Sequence, residues 1–227
     1  MVEIRNAIPL ALVMTWARLA TAGPSSVMPS TMAYSSCRDD ASKYAARSEE
    51  LQRIVAADQA DRPNNVLKPG AQLRDRERRA RVGAIFGEGC FKEARDFSAA
   101  ALVFQHGDQP EHFMQTFIWA KRSIDLGDSS QGELMTEGID RYLVSTGHRQ
   151  LFASQFFKAS LARDACFCLE QTEASFPDAL RLKFQGKTYA QRRDESLKVL
   201  NAGAACAIAE CARPLQPTPA GSVPGIW

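Results

Sequence analysis

Histidine is scarce in this 227-residue chain, with three in all: His106, His112 and His148. So few imidazoles leave little for a histidine-built metal centre, and no H-E-x-x-H pattern supplies zinc ligands. Charge of one sign is missing too, since 28 Lys and Arg stand against 26 Asp and Glu for a net +2. Nucleic-acid binders need a clustered cationic excess to meet phosphates, so that class is set aside. The longest apolar run falls well short of the roughly 20 residues that a membrane-spanning helix requires. Familiar catalytic signatures are absent: no G-x-S-x-G, no G-x-x-x-x-G-K-[ST], no G-x-G-x-x-G after a strand, and no S-x-x-K. The cysteines never form C-x-x-C, which argues against both zinc knuckles and dithiol redox chemistry. No stretch alternates apolar and polar residues as a strand would. Nothing in the sequence implies a cofactor or a metal.

What is present is the composition of a folded globule, 45% hydrophobic and 24% charged. The length suits one domain with short extensions. Residues 1–22 read as a secretory signal peptide: an apolar run from Ile8 to Trp16, then small residues at Ala20 and Ala22. Glu3 and Arg18 depart from the usual pattern. Residues 23–40 read as a Ser- and Pro-containing linker, 41–212 as an all-α domain, and 213–227 as a disordered Pro-rich tail. The six cysteines, Cys37, Cys90, Cys166, Cys168, Cys206 and Cys211, all follow the signal-like segment. An even number in an exported chain points to disulfides and to a periplasmic or secreted location, although spacing does not choose the partners. Free thiols are the competing reading.

From Ala41 onward the apolar residues keep helical spacing. Tyr44, Leu51, Ile54 and Val55 share one face of a first helix, broken at Arg62-Pro63-Asn64-Asn65. Leu73, Ala80, Ala84 and Ile85 mark a second, whose other face is Arg, Asp and Glu. Phe97, Ala100, Ala101 and Phe104 give a third, Phe113, Phe117, Ala120 and Ile124 a fourth, and Met135, Ile139, Tyr142 and Leu143 a fifth. Capping boxes are expected at Asp108/Glu111 and Ser130/Glu133. Phe156, Phe157, Ser160, Leu161 and Leu169 suggest a further helix. A last one runs from Tyr189 to Ala209 with Leu197, Leu200, Ala204 and Ile208 inward. Gly87, Gly107, Gly127 and Gly147 recur every 20 residues, as if punctuating helical hairpins. The fold expectation is therefore all-α: antiparallel helical hairpins, stacked as in tetratricopeptide or Sel1-like solenoids or gathered in an irregular bundle.

Chemistry-bearing residues are few. His106, at a helix end before Gly107, is either a cation favoured by the terminal carbonyls or a general base at a groove. Asp140 groups with Glu133 and Glu137, as a solvated acidic stripe or, with Arg141, as a groove lining. Gly147-His148-Arg149-Gln150 and Ser154-Gln155 are rich in donors suited to a carboxylate or a peptide amide. Asp58, Asp61 and Arg62 look like a capping and ion-pair cluster.

Gln105-His106, Asp140-Arg141 and Gly147-x-x-Gln150-x-Phe152-x-x-Gln155, in that order, resemble a bacterial family of helical proteins with no established function. Its signature is Q-H, D-R and G-x-x-Q-x-[FY]-G-T-Q, and Asp58-Gln59 with Arg62 is similar to its D-Q-x-x-R. The resemblance spans roughly residues 49–200, most specifically 96–155, and departs at Ala153-Ser154, where the family pattern has Gly-Thr. It implies that Gln105, His106, Asp140, Arg141, Gln150 and Gln155 converge in space. The functional expectation is an exported helical binding module holding a peptide, protein or small polar ligand between hairpins. The alternative is a hydrolase with His106 as general base and Asp140 as its orienter.

Overall fold

The computed structural model describes residues 37–158, 166–202, 206 and 210–227. The signal-like segment and most of the linker lie outside the described residues. The chain is mostly helical, consistent with a helical bundle: α1 (Ala41–Ala60), α2 (Ala71–Gly87), α3 (Ala94–Gln105), α4 (Pro110–Asp125), α5 (Gly132–Ser145), α6 (Asp178–Gln185) and α7 (Tyr189–Leu200). Between α5 and α6 lie two short strands, β1 (Phe156–Lys158) and β2 (Phe167–Leu169), paired antiparallel with Phe157 opposite Cys168.

Helices α3, α4 and α5 form the centre, each packed on the next, with α1 and α2 laid against α3. Short links leave no room for anything but a return of the chain along its predecessor. Close approach of α4 and α5 depends on Gly138, where a Cβ would sit 2.9 Å from the Phe117 nitrogen and 3.2 Å from the Phe113 carbonyl. Asp96 ties α1 to α3. It is fully buried, accepts from the Tyr44 and Ser48 hydroxyls at 3.0 and 2.6 Å, and caps α3 through the backbone N–H groups of Lys92 and Glu93. Leu51, Val82, Ile85, Phe117, Trp119, Met135, Ile139 and Phe152 fill the core.

Five helices stand where the periodicity places them, but α2 is rotated from expectation. Leu73 is 57% exposed, and Ala80 and Ala84 also face solvent, while Asp75 and Arg79 join Val82 and Ile85 inside. The caps differ as well. Gln109 with His112 caps α4, not Asp108 with Glu111, and Pro110 takes the first helical position. Asp128 caps the 3₁₀ turn at Ser129–Gln131 that leads into α5, in place of a Ser130/Glu133 box.

The expected helix around Phe156–Leu169 is instead the strand pair; of its residues, Ser160 and Leu161 lie outside the described set. The final helix is shorter than expected and buries no residue, with Leu200 40% exposed; Ala204 and Ile208 lie outside the described residues.

The Pro-rich C-terminus is not loose. Gln216 bridges to His148 and exchanges backbone hydrogen bonds with Gly147 and Arg149, Val223 and Ile226 enter the core, and the Trp227 ring meets Phe176 edge-on at 5.2 Å. At the other end Cys37, assigned to the linker, is buried and bonded to Cys90. The other disulfides are Cys166–Cys206 and Cys168–Cys211, and no cysteine is free. Three disulfides fit an oxidising environment outside the cytosol. Among the described residues no helix is long and apolar enough to cross a membrane.

Candidate functional site

The charged face of α2 is drawn inward because α1 presents acids to meet it. Asp58, in the last turn of α1, is completely buried. Arg62 donates from Nη1 to its carboxylate and its carbonyl, both at 2.9 Å, and from Nη2 to Asp75 at 2.5 Å. Arg78 donates to Asp75 at 2.9 Å and to Asp61, while Arg74 grips both oxygens of Asp61 at 2.8 Å. These two guanidiniums hold the Asp61 carboxyl well below the usual carboxylate range. Charges enter such an interior only when each finds partners, and here each acid has at least two. The cluster anticipated from Asp58, Asp61 and Arg62 is therefore half of a larger network. Its other half, Arg74, Asp75, Arg78 and Arg79, reads in sequence as a solvated face.

Arg79 crosses to the next turn, donating to the His106 carbonyl at 2.9 Å and to Asp108 at 3.2 Å. His106 ends α3, and its Nδ1 lies 3.1 and 3.0 Å from the two oxygens of Asp58. Asp58, not Asp140, is thus the acid beside His106. Asp140 is neither a solvated stripe nor a groove wall. It is fully buried and accepts from the backbone N–H groups of Leu151, Phe152 and Ser154 and from the Ser154 hydroxyl, at 2.7–3.1 Å. Burial pushes its pKa up to about 6 against the pull of those donors. The loop it holds contains Ala153 at a φ of 58°, in the left-handed region that favours glycine. That is the position where the resembled signature carries Gly.

Five of the six residues singled out in sequence form one hydrogen-bonded set. Arg141 donates to the Gln105 carbonyl at 2.7 Å and to Gln155 Oε1 at 3.2 Å. Gln105 donates to Glu137 at 2.6 Å, and the Gln155 side chain donates to the Ser154 hydroxyl at 2.9 Å, beside Asp140. The Gln150 amide accepts from the Gln155 N–H at 2.8 Å and donates to the Glu170 carbonyl at 2.7 Å. His106 joins only through its neighbour Gln105. Gln150 and Gln155 are buried and fully engaged within the fold, so they fasten α5, the loop and β2 rather than face a ligand. Burial raises the Glu137 pKa and lowers that of Arg141.

Two clefts open beside this set. One, of about 450 Å³, is walled by Arg62, Arg76, Arg79, Gln105, His106 and Arg141, with Asp75 and Asp108 already paired to arginines. The other, of about 520 Å³, lies across α1, α3 and α5 between Gln52, Leu102, Gln105, Glu133 and Glu137. Gln105 borders both. Arg192 of α7 reaches Glu133 at 2.5 Å and Glu137 at 3.2 Å.

The remaining histidines are occupied differently. His112 Nδ1 accepts from the backbone of Asp108 and Gln109, and burial, with Arg79 nearby, lowers its pKa. Its ring packs so tightly on the preceding turn that a Cβ at Gly107 would fall 2.3 Å from its own. His148 pairs with the Thr146 hydroxyl at 3.3 Å. Among the described residues no group of three or more His, Cys, Asp or Glu is arranged to hold a metal ion.

No family model matches the chain, and neither a curated protein nor a solved structure matches it.

Proposed function

We propose that this is an exported binding protein that captures a small polar ligand, or the free end of a peptide, by its carboxylate in the arginine-walled cleft. One observation carries the reading. Arg62, Arg74, Arg78 and Arg79 all have carboxylate partners, whereas the guanidinium of Arg76 has none among the described residues and borders the cleft. Arg141 leaves its Nη2 without a partner there as well. A planar fork of donors with no internal acceptor is suited to a carboxylate from solution. Four arginines against two committed aspartates leave the wall cationic although the whole chain is nearly neutral. Export rests on the signal-like start together with the three disulfides. The second cleft, across α1, α3 and α5, shares Gln105 with this site.

Thermal shift and calorimetry with succinate, glutarate and short dipeptides test the reading. Arg76 is exposed and unpaired, so Arg76→Ala leaves the fold intact and removes one charge-assisted contact. That loss weakens binding about tenfold or more. Equal responses of the wild type and Arg76→Ala to every anionic ligand would defeat the proposal.

A further inference from the structure

The binding reading leaves His106 without a task, and its surroundings give it one. Its Nδ1 faces a buried carboxylate whose oxygens already accept from Arg62 and Gln59 at 2.9 Å. Since those oxygens serve as acceptors, Nδ1 is the donor of that contact, which leaves Nε2 as the ring nitrogen able to take up a proton. Nε2 has no hydrogen-bond partner among the described residues, is not among the buried unpaired atoms, and belongs to a side chain that lines the cleft. The residue is also held in place: its backbone carbonyl accepts from Arg79, and the Asp58 carboxylate facing the ring is held by Gln59 and Arg62. A fixed imidazole, oriented through Nδ1 by a buried acid and open at Nε2, is the arrangement that general-base catalysis requires. Among the described residues no Ser, Thr or Cys lines the cleft, so the group to be activated is water.

The geometry points to hydrolysis of a carboxylate-bearing ester, with His106 as general base, Asp58 as its positioning residue, and Arg76 and Arg141 as the anchor for the carboxylate. This rests on the carboxylate-binding reading of the same cleft. A water O–H proton passes to Nε2 while the water oxygen forms a bond to the acyl carbon. The tetrahedral anion, stabilised by the cationic wall, collapses by breaking the acyl C–O bond. The departing alkoxide takes the proton back from the imidazolium. One ester and one water yield one acid and one alcohol, with no other reactant.

The test uses the full chain with its disulfides intact and two chromogenic esters, the anionic p-nitrophenyl hydrogen succinate and the neutral p-nitrophenyl butyrate. Expected are saturable turnover of the anionic ester and a preference for it of about tenfold or more in kcat/KM. His106→Gln lowers kcat by about 100-fold or more, within the usual range for a lost general base, while succinate still raises its Tm. Asp58→Asn leaves KM unchanged and lowers kcat, a split that mere loosening of the fold does not produce. Turnover at the wild-type rate by His106→Gln overturns the inference. So does turnover at the buffer rate by the wild type while succinate still raises Tm, a result that leaves the binding reading standing. Absence of both turnover and the succinate shift removes both.

Discussion

Replacing Asp140 by alanine is the sharpest probe of how the loop after α5 is held. The side chain serves three backbone donors, on Leu151, Phe152 and Ser154, that have no other acceptor among the described residues. A buried donor left unsatisfied costs roughly 1–3 kcal/mol. Even at the low end, Asp140→Ala loses about 3 kcal/mol at neutral pH, a large share of the 5–15 kcal/mol typical of whole domains. The pH dependence adds an independent signature. Burial raises the folded pKa from 3.8 to about 6, so the folded protein holds this proton more tightly than the unfolded chain does. The stability so gained is complete below about pH 4 and is lost as pH rises through 6, a change of up to about 3 kcal/mol. The variant has no such group. The gap between the two proteins is therefore wider at pH 4.5 than at pH 7.5. Urea unfolding followed by circular dichroism at both pH values measures that gap, and hydrogen exchange at residues 151–154 reports the loop itself. A variant within about 0.5 kcal/mol of wild type at pH 7.5, the scatter of neutral surface changes, or a gap indifferent to pH, refutes the reasoning.

Ala153→Gly relieves the left-handed strain in the same loop and raises stability by about 1 kcal/mol, read as an increase in Tm. Gly138→Ala does the reverse despite alanine's better helix propensity: the new methyl meets the α4 backbone, costing about 1–3 kcal/mol in thermal melts. Asp61, held low by Arg74 and Arg78, has a linkage of opposite sign to that of Asp140. Its contribution is present above the unfolded carboxylate pKa and is lost as pH falls, and Arg74→Ala flattens that acid-side loss in pH-dependent melts. Because Cys166–Cys206 already joins the same two segments, Cys168–Cys211 closes an effective loop of only about eight residues, so Cys168→Ser with Cys211→Ser lowers stability by about 2.5 kcal/mol on chain-entropy grounds. Reversible urea unfolding without reductant measures it.

The helices that were legible carry an apolar stripe bounded by punctuation. Thus α3, α4 and α5 begin and end close to where Phe97–Phe104, Phe113–Ile124 and Met135–Leu143 place them, because a 3.6-residue apolar period forces one face inward. Gly127 and Gly147, at φ of 105° and 85°, close α4 and α5 as expected. The same logic misled for α2, whose apolar residues are few. Leu73 was left outside once Asp75 and Arg79 found partners across the interface, a pairing that hydrophobic spacing does not encode. Phe156, Phe157 and Leu169 suit a short strand as well as a helix. Only the clasp from Cys168 to Cys211 and the pairing with one another distinguish the two. The tail lacked periodicity, yet Val223, Ile226 and Trp227 dock as single anchors rather than as an element.

The candidate site shows the same division. Local sequence determined the helix ends that carry Gln105, His106 and Arg141, and the even number of cysteines that become disulfides, since caps, breakers and spacing act over a few residues. Which acid faces His106, which arginine lacks a partner, and whether Asp140 meets solvent or a loop were decided by tertiary packing. Those outcomes depend on contacts between residues 11–48 positions apart, where burial turns each charge into a demand for a particular neighbour.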